Sequence, residues 1–186
     1  SITIGSAQST LYFTDGHAIR SVLMNDKKNN NTYEIVAPLT IVGNGIAGYS
    51  GDNMFSLKAQ VNKPSDMVLD PTSNNLFFTD QGNNVVRKLN LVTNLVHHVA
   101  GKSNSMQTEL RSPCTITIAI DEQLLFIAEC ENSANGYNIF SMNLTTQIMK
   151  NFTIIQSKPL DIAFVNATKL LIVVTASKEL FAIHIT

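Results

Sequence analysis

The sequence predicts an all-β fold, a β-propeller of four-stranded antiparallel blades with about four blades in the chain, and three observations carry that prediction. No segment sustains an apolar period of 3.6 residues, so no substantial helix is expected. Short apolar runs alternate with clusters of Gly, Pro and Asn, the pattern of strands joined by tight turns. One supersecondary unit also recurs. Pro64 precedes Phe78 of LFFTD by the interval that separates Pro113 from Ile127 of LFIAE and Pro159 from Val173 of LIVVT. The segment LYFTD at 11–15 matches LFFTD at 76–80 and marks a further copy whose leading Pro falls before Ser1. The four anchors, Phe13, Phe78, Ile127 and Val173, stand 65, 49 and 46 residues apart. Repeats of that length belong to propellers or solenoids, and four strands per repeat make a propeller blade.

Residues 1–43 are the first blade. The span from Arg20 to Gly43 is longer than its counterpart from Arg87 to Gly101, and the extra residues gather at 25–32 in NDKKNNNT. A polar insert of this kind reads as a surface loop. It holds the sequon Asn30-Asn31-Thr32.

Residues 44–63 form a Gly-rich connection. Gly43, Gly45, Gly48 and Gly51 lack the GK[ST] of a phosphate loop, and no helix follows, so the glycines supply turn conformations between blades. Tyr49, Asp52 and Asn53 are placed in this connection as a candidate contact loop.

Residues 64–101 are the second blade. Its apolar runs, 67–69, 76–79, 85–91 and 95–99, are separated by DPTSNN, QGNN and VTN. Asp80 ends a strand, where an Asp side chain caps a tight turn. Arg87 lies on the next strand, where it can pair across the sheet. His97 and His98 are neighbours on a strand and point to opposite faces, so they cannot chelate one ion as a simple pair.

Across GNGIAGYSGDNMFSLKAQVNKPSDMVLD, NNLFFTDQGNNVVRKLN and HHVAG, the chain resembles the NHL-repeat β-propeller family. The resemblance is dense over 41–101, weaker over 1–40, and reduced over 102–186 to the Pro and the strand pattern. Propellers of this kind usually have six blades, so the resemblance implies that these four are part of a larger ring. It also implies two further chemistries to weigh: RNA binding through a basic face, and the metal-dependent lyase activity of related enzymes.

Residues 113–154 are the third blade. It holds the only two cysteines, Cys114 and Cys130, each eight residues from Glu122 at the expected centre of the hairpin turn. Positions equidistant from a hairpin turn face each other, so a disulfide between them is expected. The following polar segment, from Glu131 to Tyr137, is longer than its counterpart, and Tyr137 is a candidate contact residue.

Residues 159–186 are the fourth blade, strongly apolar in LLIVV and LFAIHI, and they supply three strands of the expected four. An uncovered blade at either end exposes apolar surface and strand edges. Part of that surface is therefore expected to meet a neighbouring blade or chain.

Composition bounds the function. The net charge is −1, with 13 basic and 14 acidic residues, which supplies no field for nucleic acid. No apolar run is long enough to cross a bilayer as a helix. Four sequons begin at Asn30, Asn143, Asn151 and Asn166. With the cysteine pairing they point to a secreted or cell-surface protein carrying N-glycans. The expected function is a non-catalytic extracellular interaction or assembly module, a glycosylated building block whose partner is another protein or further copies of itself. No catalytic, cofactor or metal residue is assigned. One alternative is a six-bladed-propeller enzyme with a metal on its axis, to which Asp15, Asp80 and Glu129 converge. Another is an RNA-binding propeller of the NHL type.

Overall fold

The computed structural model describes residues 1–5, 10–27, 32–101, 109–121 and 123–185. Four antiparallel sheets follow one another along the chain and turn their first strands toward a common axis, which makes a four-bladed propeller arrangement. Within the described residues, helix is confined to 3-10 turns at Ser56–Lys58, Gln81–Asn83 and Asn166–Thr168.

Blade one comprises β1 (Ile2–Gly5), β2 (Thr10–Asp15), β3 (Ala18–Lys27), β4 (Thr32–Ile35) and β5 (Leu39–Val42). Strand β3 is long enough to take two outer partners in succession. Met24–Lys27 pairs with β4, and Ile19–Ser21 pairs with β5. Part of the polar insert read as a surface loop is therefore strand, because its ends zip into a hairpin. Asn30 lies outside the described residues.

Blade two comprises β6 (Met54–Phe55), β7 (Pro64–Leu69), β8 (Asn75–Asp80), β9 (Val85–Asn90) and β10 (Leu95–Gly101), in the spatial order β6-β10-β9-β8-β7. Blade three is β11 (Pro113–Ala119), β12 (Leu124–Glu129), β13 (Tyr137–Asn143) and β14 (Met149–Ile155). Blade four has β15 (Pro159–Val165), β16 (Leu170–Thr175) and β17 (Leu180–His184), three strands among the described residues.

The core is made between blades, which explains the unbroken apolar runs. Successive strand residues face opposite ways. Leu76 and Phe78 turn toward Ile19 and Val42 of blade one, while Phe77 turns toward Leu125 and Ile127 of blade three. Blade three repeats the arrangement against blade four, with Phe126, Ala128 and Ile139 on Leu171 and Val173. The Phe126 ring lies edge-on to Phe152 at 5.1 Å and stacks on Phe164 at 5.9 Å. Burying each such side chain contributes about 1.5–3 kcal/mol.

A register shift follows the leading proline in three blades, between Pro64 and Met67, Pro113 and Thr115, and Pro159 and Asp161. Proline has no N–H for the ladder, so the first residue of each inner strand is where a bulge costs least. The bulge decides how the cysteines meet. In the ladder Ile116 faces Ile127 and Thr115 faces Ala128, a register that does not put Cys114 directly opposite Cys130. The irregularity at Cys114 absorbs the difference, the two Cα atoms stand 5.6 Å apart, and the Cys114–Cys130 disulfide forms.

Candidate interaction face

All four inner strands begin at one end of the propeller, where the second strands also finish in Asp15, Asp80, Glu129 and Thr175. The chain crosses between blades at this end, so the face is built of loops held by strand-end polar groups.

At the axis, one residue near the start of each inner strand joins a continuous polar belt. Asp66 Oδ1 accepts from the Ser1 hydroxyl at 2.5 Å and from the Met67 N–H at 2.8 Å. Its Oδ2 accepts from the Thr115 hydroxyl at 2.8 Å and the Ile116 N–H at 2.9 Å. Asp161 Oδ1 lies 3.1 Å from the same hydroxyl and accepts the Ile162 N–H at 2.9 Å. The belt borders a polar cavity of about 540 Å³. Four donors converge on Asp66 from three blades, so this carboxylate ties the inner strands together.

The Gly-rich connection does more than bridge two blades. It runs out to the edge of blade two, where β6 adds a fifth strand beside β10, and returns over the face to β7. Under it lies Arg87, fully buried. Arg87 Nε donates to Asp52 Oδ1 at 3.0 Å, and Nη2 stands 2.8 Å from the same oxygen. Nη1 donates to the Gln60 carbonyl at 2.9 Å, and Nη2 to the Ser50 carbonyl at 2.8 Å. The Tyr49 ring covers the guanidinium at 5.1 Å, a cation–π contact. Asp80 is the more distant carboxylate, 3.5 Å from Nη1. Asp80 makes no side-chain cap to the backbone of the turn that follows it, the role its position implied; it accepts instead from the Asn62 N–H of the incoming loop at 2.7 Å and from the Asn83 side-chain Nδ2 at 2.9 Å. Gly51 has φ +87°, and a Cβ there would stand 2.6 Å from Ala59 Cα, so the loop folds tightly only with glycine at this point.

Burial governs the titration of the site. It raises Asp80 above the usual carboxylate range against the opposing pull of its hydrogen bonds and Arg87. It also pushes Tyr49 up to about 12, helped by the hydrogen bond that its hydroxyl donates to Asp52. Burial lowers His98, whose Nδ1 faces the Tyr49 hydroxyl at 3.2 Å and whose Nε2 is buried without a partner among the described residues. His97 Nδ1 meets Asn53 Oδ1 at 2.8 Å. The two histidines thus hold the loop from neighbouring positions. Among the described residues no group of three or more His, Cys, Asp or Glu is placed to hold a metal ion.

Blade three varies the same design. Phe140 faces Ile127 where Arg87 faces Phe78. Buried Glu129, at the Asp80 position, has no arginine across from it. Burial raises its pKa, and its carboxylate accepts the Arg111 N–H and Asn138 Nδ2 beside a cavity of about 600 Å³. In blade four, Val173 faces Phe181, which holds the Arg87 position.

The structure brings Tyr49, Asp52 and Asn53 together, with Tyr49 and Asn53 exposed at the surface. Tyr137 is not with them. It is the first residue of β13, half-buried against the core of blades three and four. Asn166 opens a 3-10 turn, Asn143 ends β13, and Asn151 lies on β14 with its Nδ2 bonded to Asn138. Sequence reasoning missed the axial belt. Its signal was present: Asp66, Thr115 and Asp161 each stand two residues after a leading proline.

No protein-family model matches the chain, and no curated protein matches it. Among solved structures it is similar to a chain in a crystal structure of a nidogen/laminin complex. The TM-score is 0.67 at 13% identity, and the match covers 94% of this chain and 56% of that one. At that identity the likeness is one of fold, the β-propeller. The chain spans little more than half the length of the solved chain that it matches.

Proposed function

We propose that this chain is an NHL-like propeller region that works as a non-catalytic, extracellular interaction or assembly module. The observation that carries the reading is the apolar surface left open on the two outer blades. Ile2 and Ile4 of β1 are 69% and 65% exposed, and Leu160 and Leu180 of blade four are 60% and 68% exposed. In the inner blades the corresponding faces are cores. Exposed surface of this kind marks a contact site, and β17 adds an open strand edge beside it. Further blades, a partner protein or a second copy would cover it. The disulfide and the sequons at Asn30, Asn143, Asn151 and Asn166 support an oxidising, glycosylating route.

The test is the mass of the purified chain in solution. An assembly heavier than the 20.4 kDa chain, reduced to single chains by Ile2→Asp with Leu180→Asp, is the expected result. A single chain of monomer mass at about 100 μM protein, well above the micromolar range of ordinary specific contacts, would remove the assembly reading.

A further inference from the structure

The sequons at Asn143, Asn151 and Asn166 lie among the described residues, and their amide nitrogens stand in different surroundings. Asn143 ends β13 opposite Leu124, the first residue of β12. Asn166 opens the 3-10 turn that joins β15 to β16. Both strands run away from the loops that carry Tyr49 and Asp52, so both residues stand at the opposite end of the propeller. The Asn143 carboxamide is held by its oxygen. Oδ1 accepts the Thr145 N–H at 3.0 Å and the Thr146 N–H at 2.8 Å, while Nδ2 has no partner among the described residues. Asn90 holds the same turn in blade two, accepting from the Val92 N–H at 3.0 Å and the Thr93 N–H at 2.8 Å. The asparagine builds the turn, and Val92 serves it as well as Thr145 does. At Asn166 the buried, unpartnered atom is Oδ1, which leaves Nδ2 as the outward atom of the carboxamide. Asn151 differs. Its Nδ2 donates to Asn138 Oδ1 at 3.0 Å, and Asn138 Nδ2 donates in turn to Oε2 of buried Glu129 at 2.8 Å. The nitrogen that a sugar needs is here the first link in a chain that serves a buried carboxylate.

We propose that Asn143 and Asn166 are the attachment sites for N-linked glycans in the folded protein, and that Asn151 stays bare. In the transfer, Nδ2 forms a bond to C1 of the first sugar of a lipid-linked oligosaccharide diphosphate. The bond from C1 to the diphosphate oxygen breaks, and one amide hydrogen passes as a proton to the departing lipid diphosphate. At Asn143 and Asn166 the product keeps Oδ1 where it is and sends the sugar into water beyond the strand ends, where a bulky group meets no ladder. Beside Asn143 the surface opens into a cavity of about 290 Å³ shared with Thr146 and Lys150. At Asn151 a sugar replaces a hydrogen on the nitrogen that orients Asn138, and it crowds the Asn138 amide. Glu129 then keeps only the Arg111 N–H as a well-placed donor, and a buried acceptor short of a donor is costly. Chains modified at Asn151 before folding are therefore scarce in the folded product. The two glycans mark the end of the propeller opposite Tyr49 and Asp52, and they leave the loop face clear for a protein contact. This inference rests on the extracellular reading above and uses none of the apolar residues named there.

The test directs the full 186-residue chain through a eukaryotic secretory route behind a cleaved leader and collects the folded, disulfide-bonded product. Peptide N-glycosidase in heavy-oxygen water turns each modified asparagine into labelled aspartate, and peptide mapping reads the label. Label is expected at Asn143 and Asn166, with about tenfold less at Asn151. Thr145→Val, which copies Val92 of blade two, should remove the sugar at Asn143 alone. An unlabelled Asn143 or Asn166, or equal label at Asn151, would overturn the proposal. The leader supplies entry to the route, so such a failure counts against these sites and not against the extracellular reading, which sugar on native material tests. The solution mass of the unglycosylated chain tests the assembly reading separately.

Discussion

Asp52 Oδ1 stands 2.8 Å from Arg87 Nη2 and 3.0 Å from its Nε, although 35 residues separate them in the chain. That contact closes the Gly-rich connection over blade two. Arginine is fully buried there, so its charge depends on partners that the loop supplies.

Removing either partner should therefore be costly. Arg87→Ala leaves Asp80 and Asp52 without their cation, and a loss of about 3 kcal/mol is expected. Asp52→Ala should cost somewhat less, because Asp52 is 24% exposed and water reaches the gap. Denaturant unfolding midpoints at constant slope would measure both.

The Cys114–Cys130 disulfide closes a loop with a sequence separation of 16 residues. Replacing both cysteines with serine should lower stability by about 3 kcal/mol, chiefly by freeing the unfolded chain. Thermal unfolding of the double variant against the oxidised parent measures this. A loss near zero would mean that the β11/β12 ladder alone fixes the hairpin.

Acid should loosen the loop. His98 is lowered from its ordinary value by burial, with Asp52 opposing and Arg87 assisting. The released state binds the proton more readily, so the seat is complete above about pH 6.5 and weakens as pH falls through and below that value. The protection of the Asn53 and Ser56 amides, which donate to the Val96 and Asn94 carbonyls, taken as the ratio of intrinsic to observed hydrogen exchange at each pH, should fall as pH is lowered from about 7.5 to 5.5. His98→Asn should remove most of that pH dependence; a response left intact would overturn the assignment to His98, and Asp80, whose pKa burial raises, would be steadied rather than loosened by acid.

Asp66→Ala deletes the acceptor for the Ser1 and Thr115 hydroxyls and the Met67 and Ile116 amides. A loss of about 2 kcal/mol is expected, because the amides keep partial access to water through the axial cavity. Asp66→Asn should recover part of it. An unchanged unfolding midpoint for Asp66→Ala would show that the apolar seams hold the inner strands without the belt.

The sequence by itself determined the fold class and the strand pattern. Leading prolines at 64, 113 and 159, aromatic or aliphatic triplets, and turns rich in Asn and Gly are local signals, and a hairpin is a local structure whose period of two can be read from neighbours. For the same reason the disulfide was legible, since Cys114 and Cys130 belong to one hairpin. Tertiary structure decided what depends on separate segments meeting. It set the bulge that brings the cysteines together, since one register slip is invisible until the faces pack. It folded the Gly-rich connection back over blade two, where Asp52 and Tyr49 bury Arg87. It aligned Asp66, Thr115 and Asp161 around one axis, although the three lie on three different blades. It moved Tyr137 from a loop onto β13. Each of these is settled by the energy of closing packed surfaces against one another, which no single stretch of chain contains.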